Sequence, residues 1–290
     1  MSSISRRDFL KLAGLSLGCA AISTTEAHAD SGSGDTSSHA SMLYDTTKCV
    51  GCNACSNACR QWNKTEAEVE PNGLYDAPNE LSGDTWTLIQ LYDGQGEQSF
   101  VKRQCMHCVD PGCVSGCPVS ALQKTSAGPV IYDPDRCIGC RYCMYACPFH
   151  VPRFEWDETL PVITKCTMCY DRIRDGKDTA CAEICPTGAL VYGPRGSLLE
   201  EAEQRIADNP DRYVDKIYGK DVAGGTSVLY LSHVPFEKIG FEDLGTESIS
   251  KLSEDTGDLV IPTILLGGPL VLAAIRSISK RGGWEETWPL

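Results

Sequence analysis

Short hydrophobic runs, separated by polar segments rich in cysteine, make up most of the chain before residue 196. Residues 86–92 (WTLIQLY) are mainly aliphatic and aromatic, and the turn sequence DGQG follows them, so we predict a β-hairpin that returns through residues 100–101. Further short strands are predicted at residues 130–132, 162–164 and 190–192. The pattern in this part of the chain indicates short strands joined by loops.

Longer patterned segments follow residue 195. Ser197 and Glu200 have capping-box spacing, which predicts a helix that ends at about Ala207. Residues 227–231 predict another strand. Because no residue pattern here indicates chemistry, we expect residues 196–258 to be a structural or docking extension.

A run of seventeen uncharged residues (LVIPTILLGGPLVLAAI) occupies positions 259–275 and is near the minimum length for crossing a bilayer. Acidic residues precede the run, and Arg276, Lys280 and Arg281 follow it. The positive-inside rule then predicts a transmembrane helix at 259–278 with a cytoplasmic tail at 279–290. A buried or interfacial helix is the alternative interpretation.

The N-terminus has the pattern of an export signal. The sequence SRRDFLK at residues 5–11 matches the twin-arginine motif, an apolar run follows, and Ala27-His28-Ala29 is a small-residue cleavage site. These features predict a twin-arginine signal peptide at 1–29. A lipoprotein signal acylated at Cys19 is the alternative, although Ser16 stands where such signals have an aliphatic residue.

The residues after the signal, 30–42, are rich in serine and glycine and are predicted to be a flexible linker. The formal net charge of the whole chain is −13. This charge argues against nucleic acid as a partner, because phosphate binding requires clustered lysine and arginine.

Cysteine is the unusual residue, with seventeen in the chain. Exported proteins usually pair cysteines as disulfides, whereas clustered cytoplasmic cysteines hold metal. The twin-arginine route carries proteins that are already folded, so metal can be bound in the reducing cytoplasm before export. The export signal and a metal-binding function are therefore compatible.

Sixteen of the cysteines fall into four groups of four. The groups are Cys49, Cys52, Cys55 and Cys59; Cys105, Cys108, Cys113 and Cys117; Cys137, Cys140, Cys143 and Cys147; and Cys166, Cys169, Cys181 and Cys185. Two groups have the ferredoxin spacing CxxCxxCxxxC, in which three cysteines bind one cluster and the fourth binds its neighbour. Proline follows the last cysteine in three groups, as it does in bacterial ferredoxins. The sequence predicts [4Fe-4S] clusters whose ligand groups work in pairs.

Zinc sites and disulfides explain this spacing less well, because zinc prefers two separated CxxC pairs and disulfides need no such repeat. His107 lies between two cysteines, but each group already has four thiolates, so we expect it beside the ligands or at the surface. Gly51 and Gly139 either allow backbone N–H groups to approach cluster sulfur or serve only the turn.

An internal repeat supports duplicated units. Residues 117–122 and 185–190 share the sequence CPxxAL. We find no P-loop, dinucleotide-binding or nucleophile motif in the chain. The sequence therefore predicts electron transfer without a catalytic residue.

At these residues the chain resembles the four-cluster ferredoxin-like subunits of respiratory enzymes: formate dehydrogenases, dimethyl sulfoxide and polysulfide reductases, and hydrogenase-2-type uptake hydrogenases. The segments KCVGC, RQCMHCVDPGCVSGCPVSAL and GCRYCMYACPFHVP carry the resemblance, and GGTSVLYLSHVPFE brings it nearest to the hydrogenase-2 type. The resemblance covers residues 43–195 strongly. It implies an α+β fold of two interleaved dicluster-ferredoxin-like modules, followed by the C-terminal transmembrane helix.

The resemblance also implies the ligands, because in that family the first cysteine group pairs with the fourth and the second with the third. The first ligand set would be Cys49, Cys52, Cys55 and Cys185; the second Cys59, Cys166, Cys169 and Cys181; the third Cys105, Cys108, Cys113 and Cys147; and the fourth Cys117, Cys137, Cys140 and Cys143. No ligand position carries another residue, so four [4Fe-4S] clusters are expected.

The implied function is electron transfer on the periplasmic face of the bacterial inner membrane, between a [NiFe] hydrogenase and an integral membrane quinone-reactive subunit. A molybdenum or tungsten enzyme is the alternative catalytic partner. A free-standing redox enzyme or sensor would instead be active as an isolated subunit, and a zinc or disulfide scaffold would lack labile sulfide.

Overall fold

The computed structural model describes residues 35–66, 78–94, 96–154, 156, 163–251 and 260–281. The predicted signal peptide at 1–29 and the tail beyond residue 281 lie outside these ranges. The strands are β1 Ala40–Asp45, β2 Leu88–Gly94, β3 Glu97–Arg103, β4 Leu122–Lys124, β5 Val130–Tyr132, β6 Arg153–Phe154, β7 Ile163–Thr164, β8 Leu190–Pro194 and β9 Val228–Leu231. The helices are α1 Ala54–Asn63, α2 Gly112–Ser115, α3 Tyr142–Ala146, α4 Tyr170–Arg174, α5 Ala180–Glu183, α6 Arg195–Asp208 and α7 Ile261–Arg281.

Strand β1 is the centre of a three-stranded sheet, and all six of its residues are buried. It pairs antiparallel with β8, where Met42 faces Tyr192, and parallel with β9, where Met42 faces Val228. The predicted linker therefore ends earlier than residue 42, because Ala40 already belongs to the sheet. Residues on both sides of position 195 share this sheet, so the segment after it is part of the same core.

The two faces of this sheet are covered differently, since successive side chains of a strand point to opposite faces. On one face, Tyr44 and Tyr230 pack with Tyr218, Phe236 and Phe241, all of them buried. The ring centroids of Tyr44 and Tyr230 are 5.6 Å apart in an edge-to-face arrangement. The other face carries aliphatic side chains that pack against helix α6: Leu43, Leu229 and Leu231 from the sheet, with Leu198 and Ala202 from the helix.

The predicted hairpin is confirmed, with β2 and β3 paired antiparallel from Leu88 opposite Arg103 to Gly94 opposite Glu97. The short strands expected near residues 130, 163, 190 and 228 are also present as β5, β7, β8 and β9. Each copy of the CPxxAL repeat turns directly into a strand, β4 in one case and β8 in the other. The last two residues of both copies are buried.

The predicted capping box at Ser197 is wrong, because α6 begins at Arg195 and Ser197 lies inside it. The first N–H groups of this helix are satisfied by backbone rather than by a capping side chain. Arg195 donates its N–H to the carbonyl of His39 at 2.8 Å, and Gly196 donates to the carbonyl of Ser37 at 2.8 Å. The segment before β1 thus fixes the start of α6.

The apolar segment near the C-terminus forms helix α7, which contains Pro269. No helix within the described ranges is both long enough and apolar enough to cross a membrane. The transmembrane helix predicted at 259–278 is therefore not borne out: the helix is present, but it continues through the basic residue Arg276 to Arg281.

Asp45 anchors the end of β1, and its carboxylate is fully buried. One carboxylate oxygen accepts hydrogen bonds from Tyr213 at 2.9 Å and from Arg205 at 3.0 Å. Replacing Asp45 with Asn removes the buried negative charge, and Arg205 keeps only its pair with Glu201, so we expect the free energy of unfolding to fall by roughly 2 kcal/mol. Chemical denaturation followed by circular dichroism measures this loss.

The matched control is Glu203→Gln, which removes the partner of Lys220 in an exposed ion pair. Exposed pairs contribute less than about 1 kcal/mol, so this variant should resemble wild type. Equal destabilisation by the two substitutions would contradict the anchoring role of Asp45.

Candidate iron-sulfur centres

The cysteine loops share one backbone feature that directs N–H groups at sulfur. In three of the four groups, the residue two positions after the first cysteine has a positive φ and donates its N–H to that cysteine's Sγ. The distances are 3.5 Å from Gly51 to Cys49, 3.4 Å from Gly139 to Cys137 and 3.3 Å from Met168 to Cys166. Such N–H groups stabilise negative charge on a thiolate. The N–H groups of Gly51 and Gly139 thus approach cysteine sulfur, and Met168 makes the same contact, so the contact does not itself require glycine.

The four cysteines of the second ligand set lie close together. Its members Cys59, Cys166, Cys169 and Cys181 are all buried. Burial raises the pKa of Cys166 well above its ordinary value, and the charges of the other three raise it further. Burial likewise raises the pKa of Cys59 to about 12, with Cys181 and Cys169 adding to the effect. Three sequence-distant segments therefore converge on one buried group of thiols.

The third set converges in the same way. Burial raises the pKa of Cys108 well above its ordinary value, and the charges of Cys113, Cys105 and Cys147 contribute. Burial also raises the pKa of Cys147 to about 11, with a further contribution from Cys105. Cys147, which follows α3, thus lies close to Cys105 and Cys108, which precede α2, and to Cys113 within it.

The fourth set lines one cavity. Its four cysteines, Cys117, Cys137, Cys140 and Cys143, surround this space together with the side chains of Leu122, Tyr132 and Ile163. Burial raises the pKa of Cys143 to about 12, and the charges of the other three cysteines add to it. The cavity is enclosed by apolar side chains on the side of β4, β5 and β7.

The first set is only partly assembled by the described contacts. The charge of Cys49 raises the pKa of Cys55, after the larger effect of burial and the opposing effect of Lys102. Cys185 packs on the same core as these two residues, while Cys52 is exposed. Helix α1, which carries Cys55, contacts α5, which precedes Cys185.

The four sets are connected in a line. The charge of Cys181 raises the pKa of Cys55, which links the second set to the first. The charge of Cys105 raises the pKa of Cys166 and so links the second set to the third. Cys143 acts on Cys113 in the same way and links the third set to the fourth. The order is therefore first, second, third, fourth.

Buried thiols with raised pKa values are protonated at neutral pH unless a metal replaces the proton, so these sets suit cationic ligands that bind thiolate. Among the described residues, no three histidine, cysteine or acidic side chains converge closely enough to hold a single metal ion. A [4Fe-4S] cluster does not require such convergence, because each of its irons binds a different thiolate. The sets fit iron–sulfur clusters, with the first set the least complete.

His107 is fully buried, so the part of the expectation that placed it at the surface is wrong. Its Nδ1 accepts the N–H of Val130 at 3.0 Å, and burial lowers its pKa well below the ordinary value. The ring is therefore neutral, with its proton on Nε2. That N–H has no hydrogen-bond partner among the described residues and lies in the loop between Cys105 and Cys108, where cluster sulfur would be an acceptor.

Three lysines near the cysteines were not identified from the sequence: the buried Lys102 and Lys165 and the half-buried Lys124. Lys102 on β3 is 0% exposed, and Lys165 beside Cys166 is 3% exposed. No residue pattern around them differs from that of ordinary surface lysines. Only the folded arrangement reveals that they are enclosed.

Gly51 is required by packing as well as by its backbone conformation. A Cβ at this position would lie 2.3 Å from a ring carbon of Phe100. Gly51→Ala should therefore displace the ring or the Cys49 loop, and we expect loss of about one cluster's iron and labile sulfide. The measurement is iron and sulfide content per purified chain.

Gly176→Ala is the matched control, because Gly176 has a similar φ of +71° but nothing within 4 Å of the added Cβ. It imposes the same backbone strain without the collision. If both variants lost iron equally, the packing against Phe100 would not be the cause.

Comparison with known proteins agrees with this geometry. Residues 97–195 match the family model of a 4Fe-4S dicluster domain. A protein of Nitratidesulfovibrio vulgaris is 42% identical over 83% of this chain and 66% of its own length. The chain thus spans about two thirds of that relative.

Two named relatives are similar at comparable levels. The hydrogenase-2 operon protein HybA of Escherichia coli O157:H7 is 36% identical over 80% of this chain and 83% of its own length. The iron-sulfur subunit of the nitrate-inducible formate dehydrogenase of Escherichia coli K12 is 38% identical over 69% of this chain and 70% of its own length. The resemblance noted in the sequence is confirmed, and the chain belongs to the family of 4Fe-4S dicluster iron-sulfur proteins that includes HybA and the formate dehydrogenase iron-sulfur subunits.

Proposed function

We propose that this chain is the electron-transfer subunit of a periplasmic, membrane-associated [NiFe] uptake hydrogenase. Four [4Fe-4S] clusters, held by the four ligand sets, would connect the hydrogenase to an integral membrane quinone-reactive subunit. The observation that carries the proposal is the gathering of cysteines from distant segments, all buried in the second set, mostly buried in the third and lining one cavity in the fourth.

Bound clusters supply one-electron redox chemistry. The burial of most cysteines of the second and third sets keeps water away from the middle of the line. Hydrogen bonds from the backbone to Cys49, Cys137 and Cys166 stabilise charge on the thiolates. Sixteen of the seventeen cysteines serve as ligands, which leaves the chain without a thiolate for catalysis of its own.

Both ends of the line reach the surface, as an electron-transfer subunit requires. Cys52 of the first set is exposed, and its neighbour Val50 is 58% exposed. Cys140 of the fourth set is exposed beside Ile138 and Tyr142, which are 65% and 63% exposed. Exposed apolar side chains around a redox ligand favour contact with a partner protein.

The choice of a hydrogenase as partner follows the likeness to HybA, which covers 80% of this chain. A molybdenum or tungsten enzyme is the alternative, supported by the comparable identity to formate dehydrogenase iron-sulfur subunits. Under either alternative, the chain is exported folded with its clusters and works on the periplasmic side.

Metal analysis of the intact complex distinguishes these partners. The complex is extracted in mild detergent by a tag placed after Leu290, since an N-terminal tag would be lost with the signal. Nickel with abundant iron and acid-labile sulfide supports the hydrogenase, whereas molybdenum or tungsten assigns the chain to the alternative. Iron with neither metal would contradict both and favour a free-standing redox protein.

Cys140→Ser removes one ligand of the fourth set at the exposed end of the line. We expect loss or conversion of about one cluster in four. Quinone-linked turnover should fall, because the line of clusters is interrupted at one end, while partner activity with an artificial dye persists. Electron paramagnetic resonance and the two activity assays make the measurement.

Cys19→Ser is the matched control, because this cysteine lies in the predicted signal and belongs to no ligand set. It should leave cluster content and turnover unchanged. Wild-type clusters and wild-type quinone-linked turnover in the Cys140 variant would refute the assignment of the fourth set.

A further inference from the structure

His107 is a fully buried histidine, and one hydrogen bond fixes the position of its ring proton. The residue is 0% exposed, and its Nδ1 accepts the backbone N–H of Val130 at 3.0 Å. Because a backbone N–H can only donate, the ring nitrogen that receives it carries no proton. A neutral imidazole has one donor and one acceptor, so the bond to β5 places the proton on Nε2.

The Nε2–H group of His107 is a buried donor without an acceptor in the polypeptide. Nε2 is enclosed, and none of the described residues forms a hydrogen bond with it. Buried donors are almost always hydrogen-bonded, because an unpaired donor has lost its contacts with water and gained nothing in exchange. An unpaired donor at this place therefore points to an acceptor that the polypeptide itself does not supply.

The position of His107 in the chain associates it with one ligand set. It lies between Cys105 and Cys108, which both belong to the third set, and it directly precedes Cys108. The cavity that the fourth set surrounds has Tyr132 and Ile163 in its lining, but His107 is not among the described residues that line it. The third set is therefore the one whose sulfur atoms His107 accompanies.

The other three cysteine groups have no equivalent side-chain donor. His107 stands two positions after the first cysteine of its group and has a φ of 47°. The corresponding residues, which also have positive φ, are Gly51, Gly139 and Met168. These three residues direct a backbone N–H at sulfur, but glycine and methionine have no side-chain N–H or O–H to donate. Side-chain donation from this loop position is thus confined to the third set.

We propose that His107 donates its Nε2–H to a sulfur atom of the third [4Fe-4S] cluster and raises the reduction potential of that cluster alone. The inference rests on the ligand sets of the proposed function. The third cluster accepts one electron from a reductant and gains one negative charge, while His107 keeps its proton and stays neutral. A hydrogen bond to sulfur stabilises the added charge, and the reduced state is favoured as a result.

Isotope labelling tests the hydrogen bond directly. The intact complex is produced with ¹⁵N-histidine and reduced with dithionite, and pulsed electron paramagnetic resonance measures the coupling of nitrogen to each reduced cluster. Cys113→Ser identifies the signal of the third cluster, because it removes one of the ligands. We expect this signal to show a weak nitrogen coupling, as a hydrogen bond to sulfur produces, and we expect His107→Asn to abolish it.

His150→Asn is the matched control. His150 is exposed, and its backbone N–H donates to the carbonyl of Cys147, another member of the third set, at 3.1 Å. The same substitution there should leave the nitrogen coupling and all midpoint potentials unchanged. Loss of the coupling in this variant would assign the donor to the wrong histidine and overturn the inference.

Two substitutions of His107 separate the two ends of the ring. Asn has an acceptor near the position of Nδ1 and tolerates a positive φ, so it keeps the bond to Val130 and loses the distal donor. Gln reaches farther and places an amide N–H near the position of Nε2. For His107→Asn we expect the equilibrium constant for reduction of the third cluster to fall about tenfold, ~59 mV for one electron, with the other midpoints unchanged. His107→Gln should restore much of this loss.

A purely structural role through Val130 would give the reverse order, with a normal potential in His107→Asn and a lowered one in His107→Gln, and would overturn the inference. A shift confined to another cluster would do the same. Redox titration with mediators, followed by electron paramagnetic resonance, measures these potentials after iron and sulfide content have been determined for each variant.

The labelled wild-type complex decides the question if the variants do not assemble their clusters. Full clusters without a nitrogen coupling would mean that Nε2–H binds water, and a strong coupling would mean that His107 is itself a ligand. Either result overturns the inference. Failure of the proposed function looks different, because the wild-type chain itself would then lack multiple clusters.

Discussion

The convergence of buried thiols from distant segments is the constraint on which the structure depends. The second set joins a cysteine on α1 to three others from residues 166–181, and the third joins the α2 region to Cys147. Burial raises the pKa of Cys166 and Cys108 well above the ordinary value, so without metal these thiols stay protonated and uncharged. Metal–thiolate bonds would then provide much of the folding free energy of residues 43–195, where secondary structure elements are short.

The electrostatics of the interior follow from the same constraint. Lysines enclosed among cysteines would destabilise an apolar core, yet beside thiolates and anionic clusters they offset negative charge. His107 completes this environment as a neutral ring with one N–H available. The buried lysines, the neutral His107 and the thiolates therefore stabilise one another in the interior.

Much of the local structure could be predicted because it is encoded locally. The hairpin at β2 and β3, the strand after each CPxxAL repeat and the cysteine spacing are all patterns within a few residues. The capping box failed because the first N–H groups of α6 find carbonyl acceptors at Ser37 and His39, far away in sequence. The buried lysines escaped notice for the same reason: tertiary packing alone determines whether a lysine on a strand faces water. The residues between Cys169 and Cys181 contain helix α4 with the buried Arg172, which their charged sequence does not indicate.

The parallel pairing of β1 with β9 has a consequence for the order of events during synthesis. The ribosome produces β1 early, directly after the segment predicted to direct export, but its parallel neighbour appears only when residues 228–231 are made. Until then one edge of this buried strand has no partner, although all four thiol sets are already available. The sheet can therefore be completed only after all the cysteine-bearing segments have been synthesised. A chain truncated before residue 228 would therefore lack this strand pairing and expose one edge of β1.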